Sequence, residues 1–236
     1  IRDRFNGIHE GLVQSWKDIF PKKGEIHFAG ALENNEDTGT LQYLASTAME
    51  AGFSTRVLDM QALDLQNGRF FDPAGELVNR CFKLYPWEWM VDESPDGCLA
   101  EMEWLEPIWK LVMSNKAILA TLYELFPDSP YVLPCYLSRP RSGLFCKKPV
   151  FSREGHNVSV VDIRDWEEYV RIAETEGDYN TGAYVYQEYV EPTAYSGRYP
   201  VIGSWIIGGE AAGIGIRENR MEVTDNLSEF VPHIIG

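Results

Sequence analysis

Apolar residues recur at three- and four-residue steps through Phe5, Ile8, Leu12, Trp16 and Ile19, which predicts an amphipathic helix ending before Pro21. The period then shortens. Glu25 to Ala31 and Ser54 to Met60 read as strands, with a helix from Asp37 to Ala51 between them, stopped by Gly52. A strand–helix–strand order of this kind predicts a parallel pair. Asn67-Gly68 marks a hairpin, Asp72-Pro73-Ala74-Gly75 a turn, and Arg80 to Tyr85 a further strand.

Beyond this region the pattern changes. Val91 to Gly97 is acidic and turn-rich and reads as a connector; Glu101 to Phe126 reads as helical, with Ser114 as a cap and Asn115-Lys116 opening a second segment. Pro127 to Arg141, with its four prolines, predicts an irregular crossing. Leu144 to Phe151 and Asn157 to Val161 alternate as the arms of a hairpin, followed by a helix from Asp165 to Glu174 and a strand from Ala183 to Val190. Tyr199 to Ile207 and Ala211 to Arg217 are β-rich runs joined at Gly208-Gly209. The segmentation this gives is an N-terminal helix (1–23), a small α/β domain (24–97) and a larger region (98–236).

Composition narrows the classes. A 236-residue chain with 44% apolar residues can bury a substantial core. A net charge of −15 argues against nucleic acid or an anionic membrane as the main partner and is compatible with a cationic one such as a polyamine. Cysteines at 81, 98, 135 and 146 have neither metal-type spacing nor a disulfide framework, so they read as reduced thiols of a cytoplasmic protein. The chain opens on Ile1, already in a helical pattern, which suggests a piece of a longer protein.

The first candidate site is the hairpin tip, Lys147-Lys148-Pro149-Val150-Phe151-Ser152-Arg153-Glu154-Gly155. Backbone amides in a tight turn make an anion-binding concavity, and a lysine adds mobile positive charge, so the tip suits phosphate; a solvated surface hairpin is the ordinary alternative. The strand Tyr186-Gln187-Glu188-Tyr189-Val190 mixes apolar walls with polar edges as an adenine-binding hinge needs, or is an ordinary edge strand. Glu36-Asp37, at a helix start, favours the helix dipole.

The hairpin–helix–strand order is similar to that of ATP-grasp ligases. Asn34-Asn35-Glu36-Asp37, Trp87-Glu88-Trp89, Glu106-Pro107-Ile108-Trp109, Ser114 to Leu119, Lys148-Pro149 through Asn157, Tyr186-Gln187-Glu188 and Gly213 to Glu218 together resemble the synthetase domain of glutathionylspermidine synthases. That resemblance implies a mixed α/β (α+β) fold, an ATP-grasp with a small inserted α/β substrate-binding domain. It also implies an ATP-dependent carboxylate–amine ligase that forms an amide through an acyl phosphate. The other class open at this point is a noncatalytic nucleotide- or peptide-binding module.

By the same resemblance, Lys116 and Lys148 are the nucleotide lysines, and Ser152, Arg153, Glu154 and Gly155 the flap. Gln187, Glu188, Tyr189 and Val190 are the adenine hinge, and Arg217 is the arginine near the reacting groups, with a rim ion pair to Glu218 as its plainer reading. Glu36 and Asp37 are substrate-binding carboxylates, with Glu229 a further acidic contact for the amine. Trp89 stands where the family offers a small hydroxyl residue. The implied cofactors are ATP and Mg2+, whose protein ligands would lie in a segment upstream of residue 1. The implied partners are small molecules, a peptide or amino-acid carboxylate and an amine or polyamine.

Overall fold

The computed structural model describes residues 6–165, 168–179, 182–223 and 228–233. It divides into two compact units, one of residues 1–111 with 204–214 and the other of 112–203 with 215–236.

In the first unit, helix α1 (Ile8–Ile19) buries Val13 and Trp16, and stops where Pro21 forces Phe20 out of helical conformation. Phe5, the first position of the predicted stripe, lies outside the described residues. Strand β1 (Glu25–Gly30) leads into α2 (Asn35–Glu50), whose N-cap Asn34 accepts from the Glu36 and Asp37 amides at 2.8 and 3.4 Å. Trp16 Nε1 donates to Thr47 Oγ1 at 2.9 Å, which pins α1 to α2 through an otherwise costly buried indole N–H.

Strand β2 (Ser54–Asp59) pairs in parallel with β1, as the strand–helix–strand pattern predicts. The strands β3 (Asp64–Gln66), β4 (Arg69–Phe71) and β5 (Leu77–Val78) form a small antiparallel sheet. Its tight turn puts both Asn67 and Gly68 at positive φ, 51° and 75°. Strand β6 (Arg80–Leu84) joins the other side of β1 in parallel.

Three segments depart from the sequence reading. The acidic stretch after Tyr85 is largely helical, α3 (Trp87–Glu93) and α4 (Pro95–Cys98), because Trp87 and Met90 bury one helical face. The expected helix from Glu101 begins instead as strand β7 (Glu103–Leu105), parallel to β6, completing the sheet order β2-β1-β6-β7. Trp104 wins this for the sheet by packing edge-on against Phe70 and Trp87, at 5.5 and 5.6 Å between ring centres. Helix resumes only as α5 (Leu111–Ser114) and, in the second unit, α6 (Ala117–Leu125), where Asn115 Oδ1 rather than Ser114 caps Ala117 N at 2.8 Å.

The second unit is built on a sheet of β8 (Cys135–Tyr136), β9 (Gly143–Pro149), β10 (Ser159–Ile163), β11 (Tyr169–Glu174) and β12 (Tyr184–Glu188), in the order β11-β10-β9-β12-β8. The predicted hairpin is β9–β10, antiparallel throughout. The predicted helix from Asp165 is instead the edge strand β11, whose alternating Tyr169, Val170 and Ile172 favour extended backbone; residues 166 and 167 lie outside the described residues. The hairpin β13 (Tyr199–Ile207) and β14 (Glu210–Asn219) turns at Gly208 and Gly209, both at positive φ, and β15 (Glu229–Val231) pairs with β14.

Candidate functional site

Alternation along β9 and β12 sends Lys148 and Val185 to one face of the five-stranded sheet and Lys147 and Tyr186 to the other. On the first face α6 packs down, burying Ala120, Cys135 and Val185. This fixes the start of α6 against the end of β9, where Lys116 N donates to Val150 O at 2.8 Å.

The two predicted nucleotide lysines are thereby brought to the same hairpin. Lys116 Nζ lies 2.5 Å from Ser152 O and 2.9 Å from Ser152 Oγ, at the root of the predicted flap. Lys148 Nζ donates to Gln187 Oε1 at 2.7 Å, which ties the hairpin strand to the predicted hinge. Lys147 turns away and sits 3.9 Å over the Tyr184 ring, so the neighbouring lysine is held by the opposite face.

The flap itself is a tight turn. Arg153 O accepts from His156 N at 2.8 Å, while Glu154, Gly155 and Asn157 adopt φ of 52°, 71° and 55°. It is fastened from behind by residues the sequence reading missed: Thr175 Oγ1 donates to Gly155 O, Asn157 Nδ2 donates to Gly177 O at 2.9 Å, and Tyr179 N to Asn157 Oδ1 at 2.8 Å. Gly177 must be glycine here, since a Cβ would fall 2.5 Å from His156 Cβ and 2.8 Å from Asn157 Oδ1. His156 sets its ring edge-on to Tyr179. The only hint in sequence was the glycine at 177 after an acidic run.

At the hinge, Glu188 N donates to Pro134 O at 2.7 Å and Tyr189 N to Leu144 O at 3.0 Å, which fixes the strand's exit from the sheet. Tyr189 Oη donates to Glu222 Oε2 at 2.7 Å, and that carboxylate raises the phenol to about 12. Val190 is exposed.

The remaining predicted residues belong to other elements. Arg217 stands opposite Phe230 in β14–β15, its guanidinium 5.8 Å from the ring. Glu218 points to the other face, where the ion pairs belong to Arg198, 3.9 Å from Glu218 and 3.1 Å from Glu229. Glu36 and Asp37 are in the first unit, in the first turn of α2.

Burial pushes all four thiols up, Cys81 to about 12, so they are protonated at neutral pH and unsuited to nucleophilic chemistry. Among the described residues, no group of three or more His, Cys, Asp or Glu side chains could hold a metal ion. None of the described helices is long and apolar enough to cross a membrane.

The family model for the glutathionylspermidine synthase preATP-grasp region matches residues 1–236. The chain belongs to this family. Among relatives of the glutathionylspermidine synthase family, a Haemophilus influenzae protein named as a candidate acid–amine ligase is 35% identical over 98% of this chain and 62% of its own length. The trypanothione synthetase of Crithidia fasciculata is 28% identical over 88% of this chain and 35% of its own. The bifunctional glutathionylspermidine synthetase/amidase of Escherichia coli is 26% identical over 98% and 42%. The chain therefore spans between 35% and 62% of the length of these curated relatives. A solved structure, a candidate γ-glutamylcysteine synthetase from Methylobacillus flagellatus, shares the fold at a TM-score of 0.61 over 97% of this chain and 75% of that one, with 10% identity. The mixed α/β fold class expected from the sequence is the one found, with both parallel and antiparallel sheets.

Proposed function

We propose that this chain, with any longer protein that contains it, is an ATP-dependent ligase that joins a carboxylate to an amine. The observation that carries this reading is the convergence of Lys116 and Lys148 on one hairpin, one lysine on the flap root and the other on the hinge. One ammonium at a turn with left-handed residues at 154, 155 and 157 and a second on the strand leading into it suit a polyphosphate, whose oxygens would replace Ser152 and Gln187 as their acceptors.

Lys116 and Lys148 would hold the phosphates of ATP, with Ser152, Arg153, Glu154 and Gly155 closing over them. Gln187, Glu188, Tyr189 and Val190 would receive the adenine. ATP supplies the phosphoryl group that turns a carboxylate into an acyl phosphate, and the amine then displaces phosphate to give the amide. Arg217 would steady developing negative charge, a task suited to a planar guanidinium. Glu36 and Asp37 would bind the cationic ends of the substrates, and Glu229 would do so once released from Arg198.

The described residues do not fit the magnesium that ligases of this type use, since no group of three or more of their His, Cys, Asp or Glu side chains could hold a metal ion. The substrate class proposed is a peptide or amino-acid carboxylate with an amine or polyamine. It rests on the relatives' names and on a net charge of −15, which favours a cationic substrate. The proposed location is the cytoplasm, where four thiols stay reduced.

The test is ADP release by the full-length protein with magnesium, ATP, glutathione and spermidine, followed by other peptides and amines. Release that requires both a carboxylate and an amine supports the ligase. Nucleotide binding with no release for any pair would favour a noncatalytic module.

A further inference from the structure

A cavity of about 740 Å3 opens in the first unit at the amino-terminal ends of its parallel strands, where β1, β6 and β7 begin at Glu25, Arg80 and Glu103. Ligands of open parallel sheets gather at the opposite, carboxyl ends, which is where α2 places Glu36 and Asp37. This cavity therefore belongs to no part of the ligase reading.

Its wall contains His27, 2% exposed, whose ring nitrogens find no partner of good hydrogen-bond geometry among the described residues, the backbone of Arg80 making only a weak contact. The nearest carboxylate oxygen, Glu25 Oε2, is 3.7 Å from Nε2, beyond hydrogen-bond reach. Burial lowers the imidazole below its ordinary pKa, so at neutral pH it offers one donor and one acceptor nitrogen. A buried polar group left unmet is costly, and it faces a space large enough for a small molecule.

The rest of the lining carries both signs of charge. Arg80 places Nε on Glu103 at 2.8 Å and Nη1 on Lys22 O at 3.0 Å, which among the described residues leaves Nη2 for an anion; the ammonium of Lys23, on the same wall, is held by Ala51 O and the Phe53 ring. Both donors of Arg69 fall on Oε2 of Glu101, at 3.0 and 2.9 Å, leaving Oε1 for a cation. Asn79, exposed on the same wall, adds an amide that can donate or accept.

We propose that this cavity is a second binding site, for a small zwitterion such as an amino acid or short peptide, whose carboxylate meets Arg80, whose ammonium meets Glu101, and whose polar body satisfies His27. Separated opposite charges on one wall select a molecule carrying both and leave a simple anion or cation half-paired.

The experiment follows the His27 ring resonance in histidine-labelled protein without ATP, assigned by substituting His9, His156 and His233 in turn, while glycylglycine is titrated. The expected result is a saturable shift of His27, with acetate or ethylamine alone binding on the order of tenfold more weakly. Glu101→Gln and Asn79→Ala, both at exposed positions, are expected to weaken glycylglycine on the order of fivefold, the size of one exposed polar contact. Lys148→Ala, which probes the nucleotide site, should leave the shift intact, so failure here and failure of the ligase reading are separable. No saturable shift with glycylglycine, an equal response to acetate or ethylamine, or an unchanged affinity in both wall variants would overturn the proposal.

Discussion

Lys148 and Gln187 are diagonal neighbours on one face of β9 and β12, with Nζ 2.7 Å from Oε1, so the proposed nucleotide lysine is tied to the proposed hinge. On the proposed reading, the amide holds the ammonium where a phosphate oxygen would later take it, and side-chain entropy is spent before the nucleotide arrives. Lys148→Ala is expected to weaken ATP binding by about ten- to a hundredfold, the worth of a hydrogen bond to a charged group. Gln187→Leu, which frees the lysine but keeps it, is expected to weaken binding by only about three- to tenfold. Calorimetric titration of both variants checks the order; equal affinity of Lys148→Ala and the parent would misplace the nucleotide.

Lys116 is fastened to Ser152 at the flap root. Lys116→Met keeps most of the side-chain length and removes the donor, so amide hydrogen exchange at residues 152–155 should accelerate by about tenfold, the equivalent of one lost charged hydrogen bond. Exchange at buried Val185, within the same sheet on β12, should stay unchanged.

Gly177→Ala drives a methyl against His156 Cβ, which is no flexible chain end and has to move. The flap anchor is expected to lose about 1–3 kcal/mol, seen as a lower urea midpoint with an unchanged slope. Thr175→Val removes the hydroxyl that donates to Gly155 O and accepts from the buried Val158 N at 2.9 Å, and should cost about 1–3 kcal/mol.

Lys83 gives a pH prediction in the first unit. Its ammonium is buried, donates to Tyr85 O at 2.7 Å and lies 3.9 Å over Trp87, and burial lowers it to about 8. An unfolded lysine titrates near 10.4, so below about pH 8 both states are charged and the folded state carries the burial cost. As pH rises from about 8 to 10.4 the folded state sheds its proton first, and this group's contribution to stability increases. Lys83→Met should remove that rise, a change on the order of 1–3 kcal/mol, measured by urea unfolding on both sides of pH 8.

Much of the fold was legible because local rules and tertiary packing agreed. The Asn67-Gly68 turn, the parallel β1–β2 pair and the β9–β10 hairpin each followed from side-chain period and turn chemistry. Where they disagreed, packing won: Trp104 recruited a strand out of a helical pattern, and Tyr169 to Glu174 stayed extended because β10 offered its edge. At the site, the family resemblance singled out Lys116, Lys148, the flap and the hinge but not which of them touch, and for Thr175 the only sequence signal was the nearby Gly177. Their roles come from a loop some twenty residues away in sequence, and no spacing rule connects them to Gly155 and Asn157.

The central claim, amide formation through an acyl phosphate, is tested most directly by isotope transfer. The full-length protein is supplied with magnesium, ATP, spermidine and glutathione labelled with 18O in the glycine carboxylate, and with other peptide–amine pairs if this one is not turned over. The account predicts that one 18O per amide formed appears in inorganic phosphate, because the carboxylate oxygen leaves with the phosphoryl group. Amide formation or ATP consumption with unlabelled phosphate would contradict it.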